Sequence, residues 1–214
     1  MKKFNTKDIS IIGILVALIV VLALTPLGIV PLGVISATTV HIPVIVGAII
    51  LGPRVGGILG LFFGLVSFAK AYLTPNLSSV AFVNPIVSVL PRIMIGIFSY
   101  YAYRGFLALF EKKTKGSGKD NYKSLEDDEK VINGPKKLAI ALASAVGSLT
   151  NTALVMTLIY FLYGEVFVGS MGRAGESIAK VIFSLACING IPEMILAIII
   201  STPICVALFK LRKK

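Results

Sequence analysis

Apolar residues gather into six runs, at residues 9–24, 34–52, 55–69, 91–110, 138–163 and 177–208. Charged residues, or clusters of proline and glycine, punctuate them. Runs of this length suit helices that cross a hydrocarbon core about 30 Å thick. The pattern therefore predicts an all-α membrane protein with six transmembrane helices, forming one domain over residues 1–214. The punctuation predicts the connections. Pro26, Gly28, Pro31 and Gly33 lie in an uncharged stretch, residues 25–37, which reads as an apolar outer loop. Gly52-Pro53-Arg54 reads as a tight turn, residues 111–137 as a hydrophilic cytoplasmic loop, and residues 164–175 as a short outer loop.

Composition agrees with this layout. The chain is 56% hydrophobic, with a mean hydropathy of +0.91, too apolar for a water-soluble domain. Its net charge of +11 would suit nucleic acid, but the basic residues stand at the ends of the apolar runs. That is the arrangement of topology signals, so no nucleic-acid partner is expected. With both termini cytoplasmic, 17 of the 21 basic residues fall on the inner side, leaving Lys70, Arg92, Arg173 and Lys180 outside. A signal peptide would also start with Lys2, Lys3 and Lys7 before an apolar run, but the further spans argue against that reading.

Small residues within the runs predict close packing. Gly56, Gly60 and Gly64 recur every fourth position and give one helix a smooth face. Gly13 and Ala17 repeat the spacing on the first helix.

The polar residues inside the runs are candidates for chemistry. Glu193 is the only acid within any of the six, and Asn189 lies one turn before it on the same face. A carboxylate at that depth costs several kcal/mol unless it is paired or faces water. Pro192, next to it, frees the carbonyl of Ile188 and invites a kink. Arg92 stands about 18 Å along its helix from Arg104, below the outer surface of the bilayer. It either snorkels outward or lines a cavity with the irregular backbone around Asn84 and Pro85. Asn151, near mid-membrane, needs an interhelical partner or a ligand. His41 is either a ligand contact or a histidine bonded to neighbouring backbone. Amides, one cation and one carboxylate suit a small polar solute with an anionic group, which Arg92 would hold through its planar fork.

Other chemistry finds no support. The chain has no phosphate-binding Gly-x-x-x-x-Gly-Lys-Ser/Thr, no nucleophile elbow and no His-Glu-x-x-His. One histidine and no Cys-x-x-Cys leave no metal-ligand spacing, and no cofactor is expected. Cys187 and Cys205 lie about 27 Å apart on one helix and cannot bridge each other.

Several stretches carry a resemblance: Ala37-Thr38-Thr39-Val40-His41-Ile42-Pro43, Leu51-Gly52-Pro53-Arg54-Val55-Gly56, Pro91-Arg92, residues 147–152, and Asn189-Gly190-Ile191-Pro192-Glu193. In their order and spacing the chain resembles the S components, the substrate-binding membrane subunits of energy-coupling-factor vitamin transporters. The first and fourth stretches are most similar to the pantothenate-specific branch. The resemblance implies a multi-pass protein of a prokaryotic cell membrane that captures a vitamin, pantothenate foremost, at the outer face. It further implies docking to a transmembrane coupling subunit and two cytoplasmic ATPase subunits. Substrate contacts would fall to His41, Asn84, Arg92, Asn151, Asn189 and Glu193. Partner contacts would fall to Gly13 and Ala17, glycine standing at the first where the family usually has alanine. Three alternatives stay open: an S component for riboflavin or another vitamin, a stand-alone secondary transporter of a small organic anion with Glu193 as a proton site, and an intramembrane enzyme. The last lacks a paired nucleophile and base, so the protein is expected not to be an enzyme.

Overall fold

Proline and glycine set the helix boundaries in the computed structural model, which describes residues 6–32, 35–73, 79–115, 134–173 and 175–211. Among the described residues, six helices of ten residues or more are seen: α1 (Thr6–Leu24), α2 (Ile42–Leu51), α3 (Pro53–Leu73), α4 (Pro85–Lys115), α5 (Gly134–Ser170) and α6 (Ile178–Leu211). A single helical turn, Ser79–Phe82, precedes α4. Most of the hydrophilic loop expected over residues 111–137 lies outside the described residues. The helices α3, α4 as far as Phe110, α5 and α6 are each long and apolar enough to cross a membrane. The apolar part of α1 and all of α2 are shorter.

The second predicted span departs most from expectation. Instead of a helix over residues 34–52, residues 35–38 form a strand and only Ile42–Leu51 is helical. Strand β1 (Ile29–Leu32) pairs antiparallel with β2 (Ile35–Thr38), Ile29 opposite Thr38 and Leu32 opposite Ile35. An uncharged run does not distinguish a buried helix from a buried strand. Here Pro43 in the first turn of α2 marks the start of the helix, because its missing N–H needs no partner there. Ten residues rise only about 15 Å, so α2 is half a membrane span.

This half-helix is the hub of the bundle. Ile42 through Ile50 are all buried, and α2 packs against α1, α3, α4, α5 and α6. Gly52 ends it with φ +103°, a conformation that favours glycine, and its N–H bonds to Ala48 O at 2.9 Å. The chain then reverses into α3.

The four-residue glycine repeat does pack a helix. A Cβ on Gly56 would touch Gly96, one on Gly60 would meet the Arg92 backbone, and one on Gly64 would meet Val89. Backbones of α3 and α4 therefore approach along three turns. Side chains tie the ends. Lys70 Nζ donates to Ala23 O at 2.7 Å, joining α3 to the last turn of α1, where a cation suits the free carbonyls. At the opposite end Lys136 Nζ sits 4.3 Å over the Phe209 ring, which stacks on Tyr103. In the loop before α6, Arg173 donates to both carboxylate oxygens of Glu176 at 2.8 and 2.6 Å. That hydrogen-bonded pairing holds the Glu176 carboxyl below its usual range. Both groups are exposed, so the pair adds little stability.

Candidate binding site

Two apolar clusters divide the bundle, and a polar layer lies between them. The larger packs around α2 and includes Ile95 of α4, Ala143 of α5 and Ala197 of α6. The smaller, toward the opposite end of these helices, contains Val87, Val155 and Ile182 from the same three helices. Between Val87 and Ile95 lies Arg92. Between Ala143 and Val155 lie Ser148, Asn151 and Thr152, and between Ile182 and Ala197 lie Gly190 and Glu193. Each helix thus turns polar at the same depth, under the end of the bundle that carries the hairpin.

Arg92 and Glu193 are each 7% exposed. They attract one another across the site, yet the only ion pair within 4.0 Å among the described residues is Arg173–Glu176. Glu193 is satisfied by the hairpin instead. Its Oε1 accepts the Thr38 N–H at 3.0 Å and the Thr38 hydroxyl at 2.7 Å. Thr152, whose hydroxyl donates to Ser148 O at 3.5 Å, packs against Gly190 of the same helix as Glu193. The sole acid of the apolar runs therefore ties β2 to α6.

The Pro91-Arg92 pair has a local explanation. In a regular helix the N–H of residue 91 would bond to the carbonyl of Val87, and proline has none. Arg92 curls back along its own helix, as helical side chains do, and Nη1 takes that carbonyl at 2.7 Å. Its guanidinium carbon stands 5.0 Å from the centroid of the Phe82 ring and 5.4 Å from that of Phe63. Nε is buried without a hydrogen-bond partner among the described residues.

The other candidates divide. His41 begins α2, is fully buried, and leaves both ring nitrogens without a partner among the described residues. It is not bonded to neighbouring backbone. A Cβ on Gly147 would touch Ile45, so α2 and α5 meet there; one turn toward the hairpin, His41 and Asn151 share a level. Asn151 Oδ1 and Ser148 Oγ are likewise buried and unpartnered among the described residues. Asn189 is half-buried one turn before Glu193. Asn84 is partnered. Its Oδ1 accepts the Ile86 N–H at 2.9 Å, opening α4, and its Nδ2 donates to Tyr163 Oη at 3.3 Å. Tyr163 is twelve residues beyond Asn151, about 18 Å along α5, so the Asn84 amide is tied toward the C-terminal part of α5, one turn from the Val87 carbonyl that Arg92 holds. Sequence reasoning did not place Thr38, Thr152, Phe63 or Phe82 at the site. Thr38 stood within a quoted motif; a phenylalanine in a membrane helix carries no signal of its own.

The Thr38 contact is testable. Thr38→Val keeps the shape and the backbone N–H but removes one bond to a largely buried carboxyl oxygen. Such bonds contribute about 0.5–3 kcal/mol across neutral and ionised acceptors, so the thermal-unfolding midpoint in detergent should fall, and Thr38→Ser should restore it. An unchanged midpoint would mean that Glu193 does not depend on the hairpin.

A membrane bundle with a buried polar layer between two apolar clusters, in which Arg92 Nε, both His41 ring nitrogens and Asn151 Oδ1 have no partner among the described residues, has the make-up of a membrane-embedded binding component. The chain belongs to the ECF transporter substrate-specific component family, whose model matches residues 7–205. It is similar to the Pantothenic acid transporter PanT of Lactococcus lactis subsp. cremoris, with 29% identity over 228 residues, 99% of this chain and 98% of that protein. It is also similar to the Pantothenate transporter PanT of Leuconostoc mesenteroides subsp. mesenteroides, with 35% identity over 71 residues, 33% of this chain and 35% of that protein. It is therefore a multi-pass membrane protein and a transporter subunit.

Proposed function

We propose that the protein captures pantothenate beneath its hairpin, on the outer side of the membrane. A coupling module, comprising a transmembrane subunit and two cytoplasmic ATPase subunits, would then drive delivery to the cytoplasm. The observation that carries this reading is the match to a pantothenic acid transporter across 99% of the chain. The site's chemistry supports it. Pantothenate has one carboxylate, one amide and two hydroxyls; Arg92 suits the first, and Asn151, Ser148 and His41 suit the rest. The nearest rings, Phe63 and Phe82, already lie against Arg92, which favours pantothenate over a ligand such as riboflavin that needs stacking surfaces.

Native mass spectrometry of the purified protein tests the reading. One bound pantothenate, captured without ATP, is the expected result. Saturable binding of a different vitamin would reassign the substrate, and gradient-driven uptake by the lone protein in liposomes would replace the coupling module with a secondary mechanism.

Gly13 and Ala17 are the proposed contacts with the coupling subunit. Both are exposed, and a Cβ on Gly13 meets nothing within 4 Å, so that face of α1 is unpacked in the bundle. Replacing both by leucine should leave pantothenate binding within about twofold, since a surface change costs little. Cellular uptake should be lost because the helices can no longer approach closely. Loss of binding along with uptake would show that this face serves the fold instead.

A further inference from the structure

Arg92 is the buried cation of the site, and three neighbours bear on how its guanidinium is held. Pro91 withholds the N–H that would otherwise occupy Val87 O, and Nη1 takes that carbonyl at 2.7 Å. Phe82 and Phe63 lie against the guanidinium, 5.0 and 5.4 Å from its central carbon. Nε remains buried and without a partner among the described residues. Nε–H and one Nη2–H point the same way in the guanidinium plane, so together they form a two-toothed edge that matches the oxygens of a carboxylate.

We infer that Pro91, Phe63 and Phe82 are positioning residues, which hold Arg92 so that this side edge, and not its tip, receives the ligand's carboxylate. The inference rests on the reading of the site as a pantothenate pocket, and goes beyond it by assigning specificity to three residues with no polar side-chain atom. Each acts in its own way. Pro91 supplies a vacant carbonyl as an anchor on the helix itself. The rings set π faces against the cation in place of water, so it can lie buried before the anion arrives with no carboxylate in direct contact among the described residues. Glu193, bound by Thr38, attracts the cation only from beyond ion-pair distance. A guanidinium already held in one orientation loses less freedom when the ligand binds.

The test uses the purified full-length protein and two probes: pantothenate, and its alcohol analogue in which –CH2OH replaces the carboxylate. Titration calorimetry gives the ratio of the two affinities. Wild-type protein should prefer the carboxylate strongly. In Pro91→Ala the restored N–H competes for Val87 O and loosens Nη1. In Phe82→Leu and Phe63→Leu the π face is lost at similar side-chain volume. Each variant should lower the ratio about tenfold through the carboxylate alone, with alcohol affinity within about twofold. Pro91→Ala should also raise the thermal-unfolding midpoint, because it removes a proline from a helix interior. A role confined to packing would move both probes together. Phe82→Tyr keeps the ring and should hold the ratio within about twofold of wild type.

Unchanged ratios in all three variants, or equal losses for both probes, would overturn the inference, as would a Phe82→Tyr that falls as far as Phe82→Leu. Wild-type protein that binds pantothenate while the variants keep its full preference sinks only this inference. Wild-type protein that fails to bind pantothenate removes the pocket reading, and this assignment with it.

Discussion

Arg92→Ala should weaken pantothenate binding by about a hundredfold or more, the range expected when one partner of a buried, hydrogen-bonded charge pair is truncated. The side chain is buried, and its Nε has no partner among the described residues. An incoming carboxylate would therefore take up a donor that has no partner among the described residues. Arg92→Lys should recover part of the loss, since an ammonium restores the charge but cannot reproduce the planar fork. Lys70→Ala is the control. Lys70 is also basic and outside the predicted inner segments, but it is committed to Ala23 O at the end of α1, so its removal should leave affinity within about twofold. Equilibrium binding of labelled pantothenate to detergent-purified variants measures all three. Equal, small effects at Arg92 and Lys70 would take Arg92 out of the site.

The second large effect concerns the fold. Gly96→Val should abolish recovery of monodisperse protein, whereas Gly105→Val should not. A Cβ on Gly96 would land on the backbone of Gly56, whereas one on Gly105 would meet nothing within 4 Å. Overpacking that side chains can absorb costs about 1–3 kcal/mol. Here the obstacle is main chain, which no rotamer change relieves, so α3 and α4 must separate. Their contact positions Arg92, because Gly60 lies against the Arg92 backbone one turn away. Fluorescence-detected size-exclusion chromatography of the two variants reads the outcome. A monodisperse Gly96→Val protein would show that the crossing has slack.

Much of this architecture was legible beforehand because lipid imposes strict terms. Long apolar runs must be helices wherever the backbone cannot reach water, which made α3, α5 and α6 readable, although α5 runs on to Ser170 through seven residues expected in the outer loop over 164–175. The glycine repeat announced a close helix contact, though not its partner. Polar residues stranded in apolar runs were visible as exceptions, and Arg92, Asn151 and Glu193 do enter one polar layer. Asn84 carries a local duty that its sequence did not announce, since an asparagine beside a proline looks the same whether or not it opens a helix. The second span misled because residues 35–38 are as compatible with a strand as with a helix, and only their partners decide.

The sequence by itself determined a membrane bundle, its glycine-faced helix and the few buried residues able to carry chemistry, since these follow from local pattern and from the cost of polar groups in lipid. Tertiary structure decided how those residues are used. Glu193 holds the hairpin through Thr38, α2 becomes a half-span at the centre, and Arg92 is steered by a carbonyl and two phenyl rings. Each of these depends on contacts between segments remote in the chain, or on the side chain's own path through the fold, and residue identity along one helix cannot specify them.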